Sequence, residues 1–291
     1  MFKGNFVATV TPFRNGSVDE KALGDLIERL IADGVQGFVP CGTTGESATL
    51  SHEEHARVIS LTIETVRRRV PVLAGTGSNS TAEAIRLTRH AKEAGADGAL
   101  MITPYYNKPT QEGIFRHFEA VAKAVDLPIV VYNIQGRTAV NIEPATMARL
   151  AQVKGIVGVK EASGNLGQVS EIIERCGPGF DVLSGDDNLT LPIIAVGGCG
   201  VISASSNVLP GEMTAISDAA LAGDLARARE VHYRIGPLLR ALFIETNPTP
   251  VKTALALMGR IPSDEVRLPL APMLAANRDK LVEALRAAGL P

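Results

Sequence analysis

Eight short runs of apolar, often β-branched residues recur along the chain, and between them apolar residues fall at helical spacing. The runs cover 6–12, 37–42, 70–77, 98–104, 127–133, 156–163, 180–187 and 198–205. Several are apolar at successive rather than alternate positions, as in "LPIVVYN", the pattern of parallel strands covered by helices. The intervening segments are amphipathic. Leu23, Leu26, Ile27, Leu30 and Ile31 share one face of a helix for which Gly34 serves as C-cap. Ser51 with Glu54, and Ser80 with Glu83, have capping-box spacing and predict helix starts. Eight βα units at intervals of roughly 25–35 residues predict a (β/α)8 TIM barrel. A doubly wound open sheet is the rival, and the lack of a glycine-rich dinucleotide fingerprint argues against it. "DLARAREVHYRIGPLLRALF" (224–243) opens a further helical stretch punctuated by prolines. The predicted division is a barrel over 1–223 and additional C-terminal helices over 224–291, packed on the barrel.

Composition narrows the function classes. The chain has 291 residues, 45% hydrophobic and 21% charged, with a formal net charge of −2, so it lacks the basic footprint of a nucleic-acid or anionic-membrane binder. No apolar run approaches the roughly 20 residues that span a bilayer. The start, "MFKGNFVATVTPF", has no signal-peptide pattern. Cys41, Cys176 and Cys199 show neither disulfide nor metal-ligand spacing. A reduced cytoplasmic location, with no metal, nucleic acid or membrane partner, is the expectation.

In such barrels the active site gathers at the C-terminal ends of the strands. The residue there that demands a reason is Lys160, which ends the apolar run of "IVGVKEASG" (156–164). One reading has it reaching solvent or pairing with Glu161 or Asp186. Glu161, however, follows it directly on a strand and points to the opposite face. The other reading is a Schiff-base lysine. An apolar barrel mouth disfavours the ammonium and leaves a neutral amine that can attack a ketone. The imine is an electron sink, so the adjacent carbon deprotonates to an enamine, which is aldolase chemistry without a metal. Tyr132 ends the preceding strand, beside Lys160. Thr43 and Thr44 lie in the tight turn "GTTGE", where no phosphate-loop signature is present. Arg137, five residues past Tyr132, is placed to clamp a carboxylate.

Taken together, "CGTTGESATL" (41–50), "TPYYNKPTQEG" (103–113), "YNIQGRT" (132–138), "GVKEASGN" (158–165), "LSGDD" (183–187), "GVIS" (200–203) and "NPTPVK" (247–252) resemble the dihydrodipicolinate synthase family of class I pyruvate-dependent aldolases, end to end. The resemblance implies a lyase that joins pyruvate to L-aspartate 4-semialdehyde without a cofactor, committing carbon to diaminopimelate and lysine. It makes Lys160 the imine-forming lysine and Tyr132 the acid/base, with Thr43 and Tyr106 completing a proton relay. Thr44 and the backbone at Gly185 and Ile202 match the pyruvate pocket, and Arg137 the aldehyde's carboxylate clamp. It also implies a homotetramer built from two tight dimers, the paired tyrosine coming from a neighbouring subunit. Positions matching Ser47, Ala48, His52, His55, Asn79, Glu83 and Tyr105 line an L-lysine effector site in inhibited members. The alternative for the histidines is a helix start with both rings at the surface; a His52–His55 zinc site lacks a matching motif. One departure stands out: the family usually has proline where this chain has Gln135, and Gln135 with Gly136 predicts a looser loop before Arg137. A sister aldolase acting on a sugar acid (N-acetylneuraminate or a 2-keto-3-deoxy acid) and a non-catalytic keto-acid sensor are the competing functions.

Overall fold

The computed structural model describes all 291 residues. Eight parallel strands follow in order: β1 (Gly4–Ala8), β2 (Gly37–Val39), β3 (Leu73–Gly75), β4 (Gly98–Ile102), β5 (Ile129–Asn133), β6 (Ile156–Glu161), β7 (Asp181–Ser184) and β8 (Gly200–Ser203). Seven of the expected runs contain one of them, cut short where the chain turns into a loop, and the first overlaps its strand in part. The first differs most, starting at Gly4 and stopping before Thr9. Hydrogen bonding runs β2-β1-β8-β7-β6-β5-β4-β3, and a parallel bridge between Phe38 and Val72 links the two ends into a closed barrel. A TIM barrel is therefore the observed architecture.

Strand alternation divides the apolar residues into two cores. Phe6, Ala8, Val39, Leu73, Leu100, Val130, Tyr132, Leu183 and Ile202 join Phe2 inside the barrel. Their strand neighbours, such as Val7, Val131 and Val201, face outward into a larger core shared with the helices. The interior is tight: a Cβ added to Gly37 would lie 2.1 Å from the Phe6 ring, so glycine makes room for phenylalanine there.

Helix Glu20–Ala32 buries Leu23, Leu26, Ile27 and Leu30, with Asp19 capping its start and Asp33 its end; Gly34 follows in the left-handed region. Helix His52–Val66 opens with the expected Ser51–Glu54 capping box. Helix Thr81–Ala94 starts after Ser80, but Ser80 makes no side-chain cap. Glu83 bonds Ser78 Oγ at 2.5 Å instead, so the second expected capping box does not form. Beyond the barrel, helices Leu225–Ala241, Thr249–Leu257 and Ala275–Ala287 complete the chain. No helix is long and apolar enough to cross a membrane.

Candidate active site

Register and alternation aim Lys160 inward. On β5 and β6, Tyr132 pairs with Lys160, and Lys160 pairs with Leu183 on β7. Tyr132 and Leu183 belong to the interior core, so Lys160 shares their face. Its side chain is buried to 6% exposure, and Nζ lies 4.2 Å above the centroid of the Tyr132 ring. No ion pair involves it. Glu161 points away, accepting hydrogen bonds from Asn133 Nδ2 at 3.1 Å and the Ser163 N–H at 2.7 Å. Asp186 accepts from the Asn188 N–H in its own turn. Cation–π contact is weak beside a carboxylate pair, so the amine is positioned without being claimed by a counter-ion. Gly185 leaves room for it: a Cβ there would lie 3.1 Å from both Cγ and Cε of Lys160. Ile202 closes the same interior from β8.

The turn carrying Thr43 and Thr44 is fixed by an ion pair that sequence reading did not single out. Glu46 sits in the left-handed region at φ +54° and is buried to 4%. Lys252, fully buried on helix Thr249–Leu257, donates to Glu46 Oε1 at 2.7 Å and to the Thr11 carbonyl at 2.9 Å. The other Glu46 oxygen accepts the Arg267 N–H at 3.1 Å. Burial pushes the Lys252 ammonium below the usual lysine range, and Glu46 pulls it back. The Lys252 Nζ and the Arg267 guanidinium both stack on Phe13, 4.2 and 4.3 Å from its ring centroid. Asn247, too, is unmarked on its own in the sequence, and its Nδ2 donates to Thr44 Oγ1 at 2.9 Å. The one sequence signal for both was the run "NPTPVK" (247–252), whose lysine is out of place on an otherwise apolar helix.

Arg137 corrects an expectation. The segment Gln135–Thr138 forms a single helical turn rather than a loosened loop. Thr138 Oγ1 bonds the Ile134 carbonyl at 2.9 Å, and the Arg137 guanidinium donates to the Asn247 carbonyl at 3.4 Å. Backbone and side-chain bonds thus supply the restraint that proline would have given. Arg137, Thr43 and Asn247 line a cavity of about 450 Å³. Tyr106 stays apart from them, 90% exposed with φ +70°.

Six of the seven effector positions, Ser47, Ala48, His52, His55, Glu83 and Tyr105, line that same cavity; Asn79 does not, and its carbonyl accepts from Asn107. His55 is buried to 6%, not at the surface, because its helix turns it toward the barrel. Burial lowers its pKa to about 4, and its Nδ1 has no hydrogen-bond partner. Glu83 is already engaged by Ser78, by His52 Nε2 at 3.4 Å and by Arg86 at 3.3 Å. Burial of Tyr105, with Glu83 nearby, raises its phenol.

Residues 1–288 match the model of the dihydrodipicolinate synthetase family. The chain belongs to that family. It is 61% identical over 290 residues to a 4-hydroxy-tetrahydrodipicolinate synthase of Syntrophobacter fumaroxidans, covering 100% of both chains. A crystal structure of dihydrodipicolinate synthase from Aquifex aeolicus superposes with a TM-score of 0.98 at 52% identity, covering 100% of this chain and 99% of that one. The lysine-bound enzyme of Cyanidioschyzon merolae superposes at 0.97 and 41% identity, over 100% and 99% of the two chains.

Proposed function

We propose that the protein catalyses the 4-hydroxy-tetrahydrodipicolinate synthase reaction, a lyase-class condensation of pyruvate with L-aspartate 4-semialdehyde on the route to diaminopimelate and lysine. The observation that carries the reading is an inward-facing lysine with no counter-ion, stacked on a tyrosine of the adjacent strand.

Lys160 Nζ attacks the keto carbon of pyruvate, and loss of water leaves the imine. The methyl group gives up a proton, and the enamine carbon attacks the aldehyde, whose oxygen becomes a hydroxyl. The substrate's own amine then attacks the imine carbon, closes the ring and releases Lys160. Tyr132 is the acid/base, in line with its contact to Nζ, and Thr43 with Tyr106 relays protons to solvent. Thr44, Gly185 and Ile202 form the pyruvate pocket, and Arg137 clamps the aldehyde's carboxylate. No cofactor is needed for these steps. Because Tyr106 is almost fully exposed in one chain, it serves the site of a second copy, within a tetramer of two tight dimers. Residues 1–223 form the catalytic barrel and 224–291 a helical region whose Lys252 and Asn247 brace its mouth. The site of action is the cytoplasm.

L-lysine inhibits through the cavity lined by Ser47, Ala48, His52, His55, Glu83 and Tyr105, with Asn79 at its edge. A neutral His55 with an unpartnered Nδ1 suits a ligand ammonium. The deciding experiment supplies pyruvate with borohydride, then pyruvate with aspartate semialdehyde, with and without lysine. A covalent adduct on the peptide bearing Lys160, turnover of the aldehyde and a rate lowered by lysine are expected. Turnover with a sugar acid in place of the aldehyde would overturn the substrate assignment.

A further inference from the structure

Asn247 connects two residues of the proposed substrate site, Thr44 and Arg137. Its side chain reaches Thr44 and its backbone carbonyl receives Arg137. It is 7% exposed, in the short connection before helix Thr249–Leu257. A threonine hydroxyl has one proton and two lone pairs, whereas an amide NH2 is a donor only. While Asn247 Nδ2 donates to Thr44 Oγ1, the Thr44 proton is left free for another acceptor. Thr44 is itself buried to 3%, and its hydroxyl donates to no acceptor within the chain.

We propose that Asn247 is a positioning residue that holds the Thr44 hydroxyl as a donor toward the keto-acid carboxylate, and ties that pocket to the Arg137 clamp through its own backbone. The inference rests on the pyruvate-pocket reading of Thr44. Asn247 touches no reacting atom in this scheme and acts through Thr44. Its amide Oδ1 has no partner, so orientation is decided at the Thr44 end. That makes the two possible orientations separable. If the amide donates, an aspartate at 247 takes the Thr44 proton and withdraws it from the substrate. If the amide accepts, an aspartate preserves the contact.

The test measures the KM for pyruvate and kcat separately, together with the rate of borohydride trapping by pyruvate. Asn247→Ala should raise the pyruvate KM by about 3–10-fold, the scale of one neutral hydrogen bond, and leave kcat at saturating pyruvate within about twofold. Asn247→Asp should raise it further. In a Thr44→Val background, Asn247→Ala should add nothing to the KM, because the group it acts through is gone. Asn247→Ser serves if the alanine variant does not fold, and its effect should also vanish in the Thr44→Val background. An Asn247→Asp protein as good as wild type, or additive effects of the two substitutions, would overturn the inference. If wild-type protein is not trapped by pyruvate at all, the functional reading fails first, which is a separable outcome.

Discussion

Lys160 Nζ lies 4.2 Å above the ring of Tyr132, and Lys252 Nζ lies 4.2 Å above the ring of Phe13, yet only Lys252 has a counter-ion. Lys252 also donates to a backbone carbonyl and is wholly buried. Lys160 keeps a sliver of exposure at the open end of the barrel. The difference separates a lysine that holds a structure from one that is kept available. A buried ammonium bound to a carboxylate has its charge matched and its lone pair occupied by a proton. The Lys160 amine has no such partner, so nothing in the fold ties up its nitrogen and it can meet a substrate carbon.

Replacing each lysine by methionine should therefore have opposite signatures. Lys160→Met should reduce turnover by roughly 10⁴-fold or more and abolish trapping, with thermal stability unchanged or slightly raised. Lys252→Met should leave Glu46 buried without its partner and cost about 3–5 kcal/mol of stability, read as a fall in thermal midpoint. Lys252→Met combined with Glu46→Gln should recover much of that loss. If Lys252→Met were silent in a melt while Lys160→Met unfolded the protein, the comparison would be reversed.

Gly185→Ala sharpens the comparison from the other side. The new methyl would press on the Ala162 Cβ at 2.8 Å and on Lys160 at 3.1 Å, so the backbone at Ala162 must shift and the lysine must give as well. Displacement of a reacting group by about 1 Å costs on the order of 10²-fold. The expected result is a rate loss of up to that size together with a lowered thermal midpoint, because the Ala162 Cβ, carried rigidly by the backbone, cannot swing aside.

How far the sequence announced these features follows from how local each one is. The eight strands and Lys160's inward direction rest on apolar runs and two-residue alternation, which need only short windows. The Tyr132–Lys160 contact followed from strand order. The Glu46–Lys252 pair joins residues 206 apart. Nothing in either local sequence marks the other, so the pair became visible only in three dimensions. Gln135 and Gly136 misled for the same reason. Their conformational freedom is a local fact, whereas the bond from Arg137 to Asn247 spans 110 positions. A first-turn position by itself suggested the alternative of a surface ring for His55, whereas the residue shares the buried face of its helix with Val58, Ile59 and Thr62.

The smallest effect concerns that histidine and His117, also buried, whose pKa is likewise lowered by burial to about 4. Both rings stay neutral in the folded protein down to that pH, while in the unfolded chain they bind protons near 6.5. Their contribution is complete above about pH 6.5 and is lost as pH falls toward 4, by up to about 1.4 kcal/mol per pH unit for each ring. Thermal melts across that range should show the slope, and His55→Gln should flatten it. An unchanged slope in His55→Gln would mean that the ring titrates alike in both states.

Strand β6 carries its chemistry as if in a reading frame. From Gly158 to Glu161, beyond a register shift against β5, residues address the interior and the exterior by turns, and the amine and the carboxylate occupy consecutive slots. Inserting or deleting one residue between Gly158 and Lys160 would send Glu161 into the barrel and Lys160 out among the helices. A change of two would restore the facing and move the amine by about 6.6 Å along the strand. Length variation in this lineage is therefore expected to collect in the loops and not between Gly158 and Glu161.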